Sequence, residues 1–174
     1  MTVKHSLVVP CYNEEGNINA FFDEACRAMA GYTDAFELVF VNDGSADGTA
    51  AALDRLYASH PERQLTVIHF SRNFGKEAAM YAGLQASDGD FAVIMDADLQ
   101  HPPQLVAEMI RIVEETGCDS CAARRVSRKG EPKIRSALAR AFYKLMNRYS
   151  DIEIVDGAVD FRLMNRKMVK AIVG

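Results

Sequence analysis

Short apolar runs recur along this chain, each followed by a polar turn and then by a stretch with helical spacing. The runs cover residues 6–10 (SLVVP), 36–41 (FELVFV), 65–70 and 91–95, and each reads as a buried strand, the first closed by Pro10. Between them, Ile18, Phe21, Phe22, Ala25 and Met29 mark a helix over 16–30, and Leu53, Leu56 and Tyr57 mark a second over 49–59. A third helix is predicted over 74–86, and a fourth begins with Pro102 and Pro103 in its first turn and reaches Thr116. A weaker fifth strand follows over 119–123. Strand and helix in alternation predict an α/β fold, with a mostly parallel central sheet and helices on both faces.

In such a sheet, ligands bind outside the carboxyl ends of the strands. The polar clusters fall there: Tyr12-Asn13-Glu14 after the first strand, Asn42-Asp43 after the second, Asp96-Ala97-Asp98 after the fourth. The 174 residues suit one domain. The clearest joint is Gly130-Glu131-Pro132, where the sheet is expected to end and a basic segment to begin. The domain thus divides into a part over 1–123 and a part over 124–174.

Charge is unevenly spread. The chain carries a formal −4, which argues against a general nucleic-acid binder, yet residues 124–148 hold nine Lys or Arg and one acid, Glu131. That stretch meets something anionic. Over 133–150, Arg140, Lys144 and Arg148 fall on one face of a predicted helix, which is either a solvated face or a surface for anionic lipid headgroups. Arg124, Arg125 and Arg135 bracket a loop suited to a phosphate, because guanidinium forks match phosphate oxygens. No signal peptide opens the chain and no apolar run reaches the ~20 residues of a membrane helix. As given, the fragment is expected to be soluble, cytosolic or peripheral. The four cysteines suggest a reduced compartment, and the Cys118–Cys121 pair lacks a second pair for zinc and reads as packing.

Asp96-Ala97-Asp98 is the most informative triplet. Two carboxylates so close to a buried strand repel one another unless a cation lies between them or they diverge. Mg²⁺ or Mn²⁺ takes one or two carboxylates plus substrate phosphates, and a solvated turn is the plainer alternative. Asn42-Asp43-Gly44-Ser45 is equally readable as a turn or as a binding element, with Asp43 accepting hydrogen bonds from a base or ribose and Asp47 and Thr49 capping the next helix. Gly75-Lys76 looks like the end of a Walker loop, but Phe70 stands where its first glycine belongs, and no G-x-G-x-x-G follows a strand. P-loop NTPases and dinucleotide dehydrogenases are therefore not supported. His69 reads as packing, and His101 flanks the acidic triplet.

Val8-Val9-Pro10-Cys11-Tyr12-Asn13-Glu14, Val41-Asn42-Asp43-Gly44-Ser45, Arg72-Asn73-Phe74-Gly75-Lys76 and Met95 through Pro103 occur here in an order that resembles family 2 glycosyltransferases. Together with Asp160-Phe161-Arg162-Leu163-Met164, they resemble its polyprenyl-phosphate branch. The resemblance implies a GT-A fold and inverting transfer of a hexose from a UDP- or GDP-sugar to a polyprenyl phosphate, with a saccharide hydroxyl as the alternative acceptor. It implies that Pro10, Tyr12, Glu14 and Asp43 line the nucleoside pocket. Asp96, Ala97, Asp98 and Lys76 would join the donor site, and Asp96, Asp98 and Gln100 would hold Mg²⁺ or Mn²⁺. Arg124 and Arg135 would grip the acceptor phosphate, and Asp160 would stand near the sugar. Asp98, Asp160, Arg124 and Arg135 are the expected catalytic set, in a protein working at the cytoplasmic face of the membrane. A nucleotidyltransferase is disfavoured by the lack of a glycine-rich triphosphate loop, and a non-catalytic binding module by the acidic triplet and Arg124 occurring together.

Overall fold

The computed structural model describes residues 4–33, 35–124 and 158–174. Its elements are β1 (His5–Cys11), α1 (Ile18–Ala30), β2 (Phe36–Asn42), α2 (Thr49–Ser59), β3 (Leu65–His69), α3 (Lys76–Ala86), β4 (Phe91–Ile94), α4 (Leu105–Thr116), β5 (Ser120–Arg124), β6 (Ala158–Asn165) and α5 (Arg166–Val173). The six strands lie in the order β3-β2-β1-β4-β6-β5. β1 runs parallel to β2 and β4, β2 runs parallel to β3, and β6 runs antiparallel to β4. The expected mostly parallel sheet is borne out.

Side chains alternate between the two faces with period two. On one face Val8, Val39, Val41, Ala92, Ile94 and Met164 pack with Ala79 and Leu84 of α3 and Val169 of α5. The intervening residues Leu7, Val9, Phe40 and Val93 are fully buried on the other face, where Phe21 of α1 meets Phe40 edge-on at 5.9 Å. Because both faces are covered, the strands β1 and β2 are buried along their whole length and are mostly apolar, the buried Ser6 donating to the buried Glu37 at 2.6 Å.

Three expectations are corrected. Pro10 does not close the first strand, which runs on to Cys11. The Val8 carbonyl accepts from Met95 N at 3.1 Å, so Pro10, two residues on, faces the same side beyond the end of β4. There its missing N–H breaks no ladder bond. The fourth helix begins at Leu105, with the prolines in the turn before it, where the Pro102 and Pro103 carbonyls accept from Leu105 N and Val106 N. The sheet also does not end before the basic segment, since β6 returns to it from the far side of that segment.

The chain forms two compact units, residues 1–121 with 160–174, and residues 122–159. Residues 160–174 belong to the first unit. The basic segment, Arg135 and the helix expected over 133–150 lie outside the described residues, and of Arg124 only its place at the end of β5 is described. No described helix is long and apolar enough to cross a membrane. All four cysteines are free.

The approach of α3 to the sheet depends on Gly83. A Cβ there would lie 2.3 Å from Val8 Cγ1, on a fully buried central strand that has no room to yield. Alanine gains ~1 kcal/mol in helix propensity, but overpacking a core costs ~1–3 kcal/mol. Gly83→Ala is expected to lower the urea midpoint, with a net loss of up to about 2 kcal/mol; a raised midpoint would show that α3 moves off the sheet without penalty.

Candidate active site

The strand order reverses at β1, since the chain goes from β1 outward through β2 to β3 and then places β4 on the opposite side. At this switch point, beyond the carboxyl ends of the strands, lies a cleft of about 440 Å³. It draws Pro10, Cys11, Tyr12 and Glu14 from the end of β1 and the turn after it, and Asp43 from the turn after β2. Asn73, Gly75, Lys76 and Ala79 come from the turn after β3 and from α3, and Asp96 and Asp98 follow β4.

The loops are cross-braced. After β1, Asn13 N donates to Ser45 Oγ (3.0 Å), Asn13 Oδ1 accepts from Ala46 N (2.9 Å), and Glu14 N donates to Thr49 Oγ1 (2.8 Å). Glu14 Oε2 accepts from Asn17 Nδ2 at 2.6 Å. Asp47 accepts from both the N–H and the hydroxyl of Thr49, and the hydroxyl contact foremost holds its carboxyl below the usual range. The N-cap of α2 is Gly48, so Asp47 and Thr49, expected as caps, are instead tied to one another and to the β1–α1 turn.

Asp43 holds a turn and also stands in the lining of the cleft. It is 3% exposed and lines the cleft, while Oδ1 accepts from Phe74 N (2.7 Å) and Oδ2 from Gly75 N (3.0 Å). A carboxylate on two backbone amides fixes the turn that starts α3. Gly44, at φ +62°, lets the two turns touch, since a Cβ there would lie 2.2 Å from the Arg72 carbonyl carbon. Asn42, one residue earlier, accepts from Ser45 N and donates to His69 Nδ1 at 3.0 Å. His69 Nε2 faces Asp54 Oδ1 at 3.1 Å, so its ring is a hydrogen-bonded brace rather than simple packing.

At the start of α3, Lys76 Nζ lies 2.7 Å from Asp96 Oδ1 and 2.7 Å from Asp160 Oδ2. The β4–β6 register pairs Ile94 with Arg162, and continuing it by two residues sets Asp160 opposite Asp96. Burial works against the Lys76 charge, but the hydrogen bonds to Asp160 and Asp96 outweigh it and hold its pKa above the ordinary lysine value. Beyond Asp96, Ala97 is buried and its methyl does not line the cleft. Asp98 Oδ1 accepts from Gln100 N at 3.0 Å across Leu99, which holds φ +57°. Among the described residues, the non-glycines with positive φ are Leu99 and Asn13, both in loops bordering the cleft. Such a backbone is a genuine outlier for leucine and marks a turn fixed by its surroundings.

Gln100 is exposed and lies outside the cleft lining, and His101 stacks on Phe161 with ring centroids 5.6 Å apart. Tyr12 is half exposed and joins the lining. Cys11 is also part of the cleft but was not singled out in the sequence; burial, then Glu14 and Asp96, push its thiol pKa up, so it stays protonated. Asn73 was visible only as a member of the Arg72–Lys76 motif, and Gly75 also as part of the incomplete Walker loop.

The family profile of glycosyl transferase family 2 matches residues 6–173. The chain belongs to this family. It is 41% identical over 172 residues, 99% of its length, to an uncharacterized glycosyltransferase of Synechocystis, of which it spans 53%. It is 37% identical over 170 residues, 98% of its length, to the bactoprenol glucosyl transferase of Shigella phage SfV, of which it spans 54%. The chain thus covers about half the length of these curated relatives. The mannosyltransferase PcManGT of Pyrobaculum calidifontis, solved with GDP-Man and Mn²⁺, matches with a TM-score of 0.70 at 22% identity, over 100% of this chain and 48% of its own. That likeness bears out the GT-A fold.

Asp43→Asn would turn one of two amide acceptors into a donor facing a backbone N–H. A buried group left without its partner costs ~1–3 kcal/mol. The variant is expected to lose stability by that amount in denaturant titrations; a loss below ~0.5 kcal/mol would mean that the Asn73–Lys76 turn does not depend on this carboxylate.

Proposed function

We propose that this family 2 domain moves a hexose, with inversion, from a UDP- or GDP-sugar to a polyprenyl phosphate at the cytoplasmic face of a membrane. The observation that carries the reaction class is the cleft at the switch point, into which β4 delivers Asp96 and Asp98 while Lys76 supplies a cation. The 37% identity to a bactoprenol glucosyl transferase supports the lipid-phosphate acceptor.

The donor set fits a hard divalent ion. Of the four carboxylates that line the cleft among the described residues, Asp96 and Asp98 follow one strand, and Asp96 already holds a cation at 2.7 Å. Among the described residues no group of three or more His, Cys, Asp or Glu is gathered as a full metal cage. Carboxylate oxygens are the donors that Mg²⁺ or Mn²⁺ take, their shells being completed by water and substrate phosphates. Asp96 and Asp98 would hold the ion, with Gln100 at the margin. When bound, the ion neutralises the diphosphate and improves it as a leaving group.

The chain's own residues do the rest. Pro10, Tyr12, Glu14 and Asp43 bind and orient the nucleoside. A phosphate monoester has a second pKa near ~6 and is largely dianionic at neutral pH, so it attacks the anomeric carbon without a strong base. Asp160, hydrogen-bonded to Lys76, accordingly serves to orient rather than to take a proton. Arg124 and Arg135 hold the acceptor phosphate in line and offset the repulsion between two anions.

Asp98→Ala is expected to weaken donor binding in the presence of Mn²⁺ by at least about tenfold in calorimetric titrations with UDP- and GDP-sugars, since one of two metal-holding carboxylates is gone. Unchanged affinity removes the metal assignment. Labelled donor offered with detergent-solubilised polyprenyl phosphate or with saccharides tests the acceptor: transfer to saccharides alone overturns the lipid-phosphate reading.

A further inference from the structure

Lys76 opens α3, where the helix dipole is positive and a cationic side chain is disfavoured. A local conflict of this kind is offset by something else, here two carboxylates at 2.7 Å: Asp96, just past β4, and Asp160 in the adjacent antiparallel β6. The turn before it is fixed by the Asp43 carboxylate on Phe74 N and Gly75 N, so the lysine stem starts from a rigid point. Its side chain is 39% exposed on the cleft wall, able to exchange one partner for another without unfolding anything.

Asp96 is thus asked to serve two cations. We propose that Lys76 and the divalent ion are alternative partners of Asp96, so that the ion and the nucleotide diphosphate bind cooperatively. An ion entering alone must displace a hydrogen-bonded ammonium from Asp96. When a diphosphate is present, that ammonium gains a new anion while keeping Asp160, and the displacement costs less. The same coupling raises diphosphate affinity when the ion is bound, because linkage is reciprocal. Lys76 is in this sense a positioning residue: it holds Asp96 and Asp160 together before the donor arrives and makes the metal site depend on the donor. The inference rests on the donor-and-metal reading of the cleft given above.

The test is calorimetric titration of MnCl₂ into the chain, alone and with saturating UDP or GDP. Lys76→Gln is expected to bind Mn²⁺ alone about tenfold more tightly than the parent, a shift within the usual range of coupling between sites. The gain that the nucleotide gives to Mn²⁺ affinity should shrink toward none. Lys76→Arg, which keeps the charge, should stay close to the parent in both respects. Arg72→Gln controls for the loss of a nearby charge, since its guanidinium lies over the Phe74 ring at 4.2 Å and not on Asp96; it should leave Mn²⁺ affinity unchanged. Mn²⁺ binding to Lys76→Gln that is no tighter than to the parent, or equal tightening by Arg72→Gln, overturns the proposal. Asp96→Ala separates the two readings. If it abolishes Mn²⁺ binding while Lys76→Gln changes nothing, only the lysine exchange fails; if Mn²⁺ binds Asp96→Ala as well as the parent, the metal reading itself fails.

Discussion

Acidic groups converging on one rim need a cation among them, and the rest of the site is arranged around that need. Parallel strands all end on the same side, so whatever follows β1, β2 and β4 is brought together without any instruction from the loops. Here that gathers Glu14, Asp43, Asp96 and Asp98 around one cleft. Each acid has a way to live there. Asp43 spends both oxygens on backbone amides, Glu14 accepts from Asn17, Asp98 accepts from Gln100 N, and Asp96 has the Lys76 ammonium. Asp96 is the member of this set paired with a charged side chain rather than with a neutral donor, and this makes it the natural point of exchange.

The scaffold keeps that geometry stiff by tying loops to loops. The β1–α1 turn is bonded to the β2–α2 turn through Asn13, Glu14 and Thr49, and the β2–α2 turn is bonded to the β3–α3 turn through Asp43. Gly44 permits the second contact because no side chain fits between its backbone and that of Arg72. Three connections that are distant in sequence therefore behave as one layer above the sheet. Side chains that must meet a ligand within a few tenths of an ångström gain from such support, since loops that wander on their own would spread the acids over many positions.

The strands, the helices and the placement of the polar clusters were legible because they depend on local spacing. The helix over 49–59 and the end of α1 at Ala30 were read to the residue, as periodic apolar positions allow. What escaped was non-local. Nothing between Ser6 and Pro10 says that β4 stops short of Pro10, so the proline looked like an end when it is only opposite one. The antiparallel β6 went unread because it follows a long basic segment, although Val159, Phe161 and Leu163 alternate there with Asp160 and Arg162. Asp43 could be read only as turn or ligand, because its amide partners lie 31 and 32 residues away.

Lys76 is the sharpest case. By sequence it completes a failed phosphate loop, and its local setting, at the start of a helix, is unfavourable for a cation. That unfavourable setting carries the information. Its second carboxylate partner, Asp160, is 84 residues distant and reaches the rim only because β6 runs against β4; a parallel strand in the same place would bring the other end of that segment to the cleft. Strand direction, rather than any spacing within a motif, thus sets Asp160 beside Asp96 and gives the lysine two anions to hold. A lysine with one carboxylate would surrender all its pairing to an arriving divalent ion. With two, it can release Asp96 and still remain a neutralised charge on the cleft wall, so the exchange leaves no ammonium stranded.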